Sequence, residues 1–287
     1  MQITYATGKY TAATLHKRPH PGAPLLSQLL LGEAVAVVEQ KDRYSRVLLP
    51  DDELEGYVLT DQLVSVEEDV YRRQLEQPAF ALELFCPIFS DGFGMPVTFG
   101  ARLPGYDGIQ LQHAGQRFRY SGQALLSENL TADADVMLRM ARKWLFTPEL
   151  KGGRTPTGVG AAELIQLVCR LVGVQLPRTI PEMSRLGRSV DFVVQCQPAD
   201  LAFFDDGRGR VDHVGLILPD SQVLHVCGRV RVDPLDHYGI FDRESRRYSH
   251  RLRIVRRFLP DATPAVPVRL ETRPVEVPAE RQQILIF

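Results

Sequence analysis

Apolar residues recur along this chain with two different periods, and the change between them divides it. Before Asp133 they come in short runs broken by turn residues, the pattern of β-strands joined by tight connections. "LLSQLLLGEAVAVVEQKDRYSRVLL" and "ELEGYVLTDQL" predict two or three strands, a charged hairpin at Lys41–Asp42 and a closing strand through Gly56, Tyr57 and Val58. Short, evenly spaced strands of this kind point to a small barrel over residues 1–67. Residues 70–125 repeat the style less regularly, in "FALELFCPIFSD", "MPVTFGARLPGYDG" and "GIQLQHAGQRFRYSG", and predict a second small barrel.

From Asp133 the period becomes helical. "DADVMLRMARKWLF" sets Val136, Met140 and Leu145 near one stripe, with Asp133 and Asp135 at the start, where the helix dipole favours them. "AAELIQLVCRLVG" is a stronger helix, with Ala161, Leu164, Ile165, Val168, Leu171 and Val172 on one face and Gly173 as its stop. Strand-like runs follow: "DLAFFDD", "DHVGLIL", "QVLHVCGRVRV" and "HRLRIVRRF". Helices first and an antiparallel sheet afterwards make residues 130–259 an α+β domain. Residues 260–287 are rich in proline, end in "ILIF" and predict an extended tail.

Composition narrows the classes of function. Hydrophobic residues at 44% and charged residues at 24% are ordinary for a globular protein. A formal net charge of −1 supplies no field to recruit nucleic acid, so no nucleic-acid partner is expected. No run of eighteen apolar residues is present, so no membrane span is expected. "MQITYATGKYTAATLHKRPHPG" shows neither a basic nor an apolar signal region and reads as cytoplasmic, although a chain trimmed of its signal would look identical. Cys86, Cys169, Cys196 and Cys227 form no CxxC pair, and three of them sit in apolar runs. They predict buried free thiols, with neither a disulfide framework nor a zinc site.

Two places carry candidate chemistry. His213 and His225, in "DHVGLILPDSQVLHV", fall on one face of adjacent strands if the chain folds back about Pro219. One imidazole held by another is how a general base is kept in its working tautomer. A one-residue slip in register would separate them. Alone, the pair reads as two ordinary strand histidines. Upstream, however, "KGGRTPTGVGAAELIQLVCRLVGV" runs a glycine-rich turn into a helix, the arrangement that lowers the pKa of a thiol nucleophile. Its presenting positions are Gly160, Ala161 and Ala162, which carry no reactive atom.

With these segments in hand, the chain resembles the NlpC/p60-type, papain-like peptidases that cut murein peptides. The likeness is to the branch with two bacterial SH3 domains ahead of the catalytic domain. "GGRTPTGV" looks like the family's loop before the nucleophile, "LVGVQLPRT" like its post-helix motif and "QPADLAFFDD" like its Pro-Gly-Asp-Leu strand. The resemblance makes His213 the catalytic histidine of "VDHVGLIL" and His225 the orienting residue. It also makes "SQLLLGEAVAVVE" part of the first SH3 module and implies no cofactor. The family's Asp-Cys-Ser-Gly falls on Gly160, Ala161, Ala162 and Glu163, so the nucleophile position is Ala161. The upstream Tyr and Trp that shape the family's pocket fall on Glu149 and Lys151. The implied ligand is of the type L-Ala-γ-D-Glu-diaminopimelate, with Glu33 of the first module a candidate partner for its free amine.

The other cysteines do not replace the missing thiol. Cys169 lies ~12 Å up the helix axis from Ala161 and is rotated off its face. Cys227 lies ~6.6 Å from His225 along one strand face but lacks a helix dipole. A single Cys-to-Ala replacement made to trap substrate would alter one residue, whereas here the neighbours and the aromatic pair differ as well. Natural loss of the nucleophile fits better, and loss of a triad nucleophile costs on the order of 10⁶ in kcat. The expected protein is a catalytically inactive homologue that binds a murein-type peptide or a protein partner through the old groove. The alternative is an active cell-wall peptide hydrolase working through Cys227 or an unmapped group. Seven arginines in "RESRRYSHRLRIVRR" read as a solvated strand. A metal held by His213, His225 and Cys227 lacks any metal-like spacing, and none is expected.

Overall fold

The computed structural model describes residues 4–51, 53–191, 195–205 and 207–261, and the proline-rich tail expected from Pro260 lies outside them from residue 262 onward. The first sheet holds β1 (Thr4–Gly8), β2 (Ala12–His16), β3 (Leu25–Leu30), β4 (Ala34–Lys41), β5 (Tyr44–Leu49), β6 (Leu54–Leu59) and β7 (Leu63–Val66). Its order is β3-β2-β6-β5-β4-β1-β7. The charged hairpin falls where the pattern put it, with Asp42 at φ +53° between β4 and β5. Leu15, Leu29, Val35, Val47 and Val58 fill the core of this unit. Gly56 lets β6 cross β2 closely, because a Cβ there would sit 2.7 Å from Leu15 Cγ.

A helix that the hydrophobic pattern did not announce, α1 (Glu68–Glu76), leads to the second β region. β8 (Ala79–Ala81) and β13 (Ala124–Leu126) pair with each other. β9 (Phe85–Ser90), β10 (Phe93–Thr98), β11 (Gln110–His113) and β12 (Gln116–Tyr120) form a four-stranded sheet, ordered β10-β9-β12-β11. Ile88, Val97, Leu111 and Phe118 of this sheet belong to the same apolar cluster as the helices that follow. The core therefore runs from the second β region into the last domain without a break.

α2 (Ala134–Arg142) begins as expected, with the Asp133 carboxylate accepting the Val136 N–H at 2.9 Å. Its buried stripe is not the expected one. Met137, Leu138 and Ala141 are buried, with Trp144 just beyond, whereas Val136, Met140 and Leu145 sit at the edge of the core. The Phe99 ring meets Trp144 edge-on at 5.5 Å, so the second β region draws that face inward. After the short strands β14 (Arg154–Thr155) and β15 (Gly158–Val159) comes α3 (Ala161–Arg170). It is buried from Ala162 to Arg170 rather than on one face, and Gly173 at φ +78° stops it.

α4 (Ile180–Met183) precedes the last sheet. That sheet holds β16 (Arg188–Val190), β17 (Leu201–Asp205), β18 (Val211–Leu218), β19 (Gln222–Cys227), β20 (Arg229–Pro234), β21 (Gly239–Asp242) and β22 (Arg247–Arg257). The order is β16-β22-β17-β18-β19-β20, with β21 on β22, and these pairings are antiparallel. α3 packs against β18 through Val214, Leu216 and Leu218. Among the described residues no helix is long and apolar enough to cross a membrane.

Candidate functional site

Period two decides what each strand of the last sheet presents. Val214, Leu216, Leu224 and Val226 point into the main core, whereas Ile217, Val223, Phe204 and Ile240 build a separate small cluster. His213 and His225 alternate with the first set. The chain turns back at Asp220 and Ser221, both with positive φ, so the hairpin forms about Pro219 as the sequence predicts. Its register sets Gly215 opposite His225. His213 Nε2 then lies 3.0 Å from His225 Nδ1, and both rings are buried.

Asp233 on β20 extends the chain of contacts and was not marked in the sequence. His225 Nε2 lies 3.0 Å from Asp233 Oδ2, and Arg231 Nε lies 2.6 Å from the same oxygen. Burial alone would raise the Asp233 pKa, but hydrogen bonds from His225 and Arg231 hold it below the usual carboxylate value. An ionised Asp233 fixes the tautomers. His225 donates from Nε2 and accepts at Nδ1, so His213 donates from Nε2 and keeps a lone pair on Nδ1. Burial, reinforced by His250 and His225, holds the His213 pKa well below its ordinary value. His213 is thus a neutral imidazole with one nitrogen free to take a proton.

His250, on β22, was also missed, because its segment drew attention for its arginines. Its ring stacks on His213 with centroids 3.9 Å apart and planes 21° apart. Burial lowers its pKa to about 4. An open cavity of about 930 Å³ adjoins both rings, walled by Asp205, Asp212, His237, Tyr238 and Tyr248 among others. The arginine-rich strand is only partly the solvated face expected. Arg251 and Arg253 are exposed, but Arg257 is buried against Asp200 at 2.7 Å and Arg256 donates to the Ser184 carbonyl.

The helix start is built from small residues and one long carboxylate. Gly160 donates to the Gly153 carbonyl, Ala161 opens α3, and Ala162 is buried behind it. Glu163 folds back over Gly160, where a Cβ would collide with Glu163 Oε2. Burial raises the Glu163 pKa despite the charges of Arg154, Arg178 and Lys151 around it. Glu149 accepts the Gly228 N–H at 2.7 Å, because residues 146–150 bridge the β19–β20 turn to β15. No cysteine with a resolved shift is activated. Burial pushes the Cys169 thiol up; burial and Glu149 push up Cys227; burial and Asp200 push up Cys196.

Two stretches of the chain match known families. Residues 150–246 match the NlpC/P60 family, and residues 15–63 match the bacterial dipeptidyl-peptidase Sh3 domain. The chain carries an NlpC/P60-family domain behind an Sh3 domain. It is 26% identical over 224 residues to the gamma-D-glutamyl-L-lysine dipeptidyl-peptidase of Bacillus cereus, across 70% of this chain and 67% of that protein. An NlpC/P60 family crystal structure from Bacillus cereus superposes with a TM-score of 0.76 at 22% identity, over 90% of this chain and 100% of that one. An NlpC/P60 endopeptidase from Photobacterium damselae subsp. piscicida gives a TM-score of 0.65 at 12% identity, over 88% and 70%. These two likenesses concern the fold.

Between the Sh3 domain and the NlpC/P60 domain lies a buried ionic cluster, and it overturns one expectation. Glu33 is not open to a substrate amine. It is 2% exposed, with Oε2 bonded to Arg154 at 2.6 Å and Oε1 to Arg170 at 2.7 Å. The Leu30 N–H also donates to Oε2. Arg170 reaches on to Asp51 at 3.2 Å, and Asp51 pairs with Arg102 at 2.7 Å. The charge that marked Glu33 as a ligand partner is spent on the domain junction.

Proposed function

We propose that this chain is a non-hydrolysing homologue of cell-wall peptide hydrolases that binds a murein-type peptide without cutting it. The observation that carries the reading is the start of α3. Ala161 stands where a thiol nucleophile is expected, and the Glu163 carboxyl covers the helix end that would stabilise a thiolate. Cys227, the nearest substitute by sequence, has its thiol pKa raised by burial and by Glu149, Asp242 and Asp233. The base and its orienting partners persist, but a base without a nucleophile leaves binding and positioning separate from bond cleavage. Glu149 and Lys151 replace an aromatic pair, which favours a more polar ligand than the peptides the family cuts.

The test is incubation with L-Ala-γ-D-Glu-diaminopimelate, following products by mass spectrometry and binding by calorimetry and thermal protection. The expected result is heat and protection without product. Turnover that disappears in Cys227→Ser would overturn the reading in favour of an enzyme. Absence of heat, protection and product together would replace it with a scaffold role.

A further inference from the structure

We propose that His213, His225 and His250 form a binding site for a divalent transition-metal ion of the zinc class, with one coordination position open to the adjoining cavity. One ring nitrogen from each lies within 4.8 Å of the other two. His213 Nε2 and His225 Nδ1 are 3.0 Å apart. Ligands ~2.0–2.1 Å from zinc in a tetrahedron stand ~3.3 Å from one another, so these two nitrogens are already near an edge of that figure once the His213 proton moves from Nε2 to Nδ1. Asp233 behind His225 supplies the carboxylate–histidine arrangement that orients a metal ligand and fixes its tautomer. His250 Nδ1 lies 2.9 Å from Ser249 Oγ, which leaves Nε2 to coordinate. The His250 ring stacks on His213 with centroids 3.9 Å apart, which sets the third imidazole beside the first two.

Three imidazoles select zinc, copper, nickel or cobalt over magnesium and calcium. The cavity wall adds Asp205 and Asp212, acidic groups on the approach to the site. The third ligand is His250 rather than Cys227, because the group that comes together holds the three histidines and not that thiol. Two of its ligands are the base and its orienting partner, but metal binding requires no peptide cleavage, so the site goes beyond the function proposed above.

The test uses the full chain, stripped with a chelator, then titrated with zinc against a chromophoric competitor and with cobalt followed by its visible absorption. One ion per chain and the intense bands of a tetrahedral cobalt site are expected. His250→Phe, which keeps a ring on His213, should lower affinity at least tenfold while leaving the unfolding temperature of the metal-free protein unchanged. Cys227→Ser should leave binding intact. Histidine ring signals in nuclear magnetic resonance of the unaltered chain should shift at His213, His225 and His250 on adding zinc. No stoichiometric binding, binding that survives His250→Phe, loss of binding in Cys227→Ser, or shifts confined to other histidines would each overturn the site.

Discussion

At residue 160 the lack of a side chain and at residue 163 the presence of a long one solve a single packing problem, because a Cβ on Gly160 would meet Glu163 Oε2. Gly160→Asp alone forces that carboxyl out and should destabilise the fold by about 1–3 kcal/mol, the usual range for overpacking. Adding Glu163→Gly should recover most of the loss. A double-mutant cycle by chemical denaturation measures the coupling, and additive effects would show that the two residues do not share the space. The same contact governs a restored thiol. Ala161→Cys alone should react with iodoacetamide at neutral pH no faster than an ordinary cysteine and should release no product from murein peptides. A vigorous peptidase from that one reversion would mean that the Glu163 carboxyl does not guard the helix end.

Elements show how far the sequence could be read. The β18–β19 hairpin was legible because it is local: Pro219 and the alternation of "DHVGLIL" with "QVLHV" mark the turn and the two strands, while the register that joins the two rings is seen only in the structure. Asp233 and His250 were not, because they enter from β20 and β22, whose places in the sheet depend on long-range pairing. α3 read as amphipathic, yet its polar Glu163, Gln166 and Arg170 are buried too. A helix covered on every side betrays itself only when partners from distant segments, here Glu33 and Asp51, are known. The hairpin makes its own prediction. Asp233→Asn removes the charge that holds the proton on His225 Nε2, so imidazole ¹⁵N shifts should reveal a mixed tautomer at His225 and a changed one at His213. Unchanged shifts would mean that Arg231, not the histidine, is the partner Asp233 serves.

For the whole molecule, the decisive charges lie at the junction of the Sh3 and NlpC/P60 domains. Burial alone would raise the Glu33 pKa, but Arg154, Arg170 and Arg178 hold it well below the usual carboxylate value. Burial and the neighbouring arginines lower Arg154 to about 10, so both groups remain charged at neutral pH. A carboxylate whose pKa falls on folding contributes stability that is complete above its unfolded value, ~4.3, and is lost as pH drops through the folded value. Glu33→Gln leaves Arg154 and Arg170 buried without that partner and should cost roughly 3–5 kcal/mol at neutral pH. The difference from the unaltered chain should shrink steadily below about pH 4, as the unfolded carboxyl takes up a proton that the native one, with its lowered pKa, still resists. Denaturation across that range separates the electrostatic account from a packing one. A penalty as large at low pH as at neutral pH would mean that Glu33 holds the junction by shape rather than by charge.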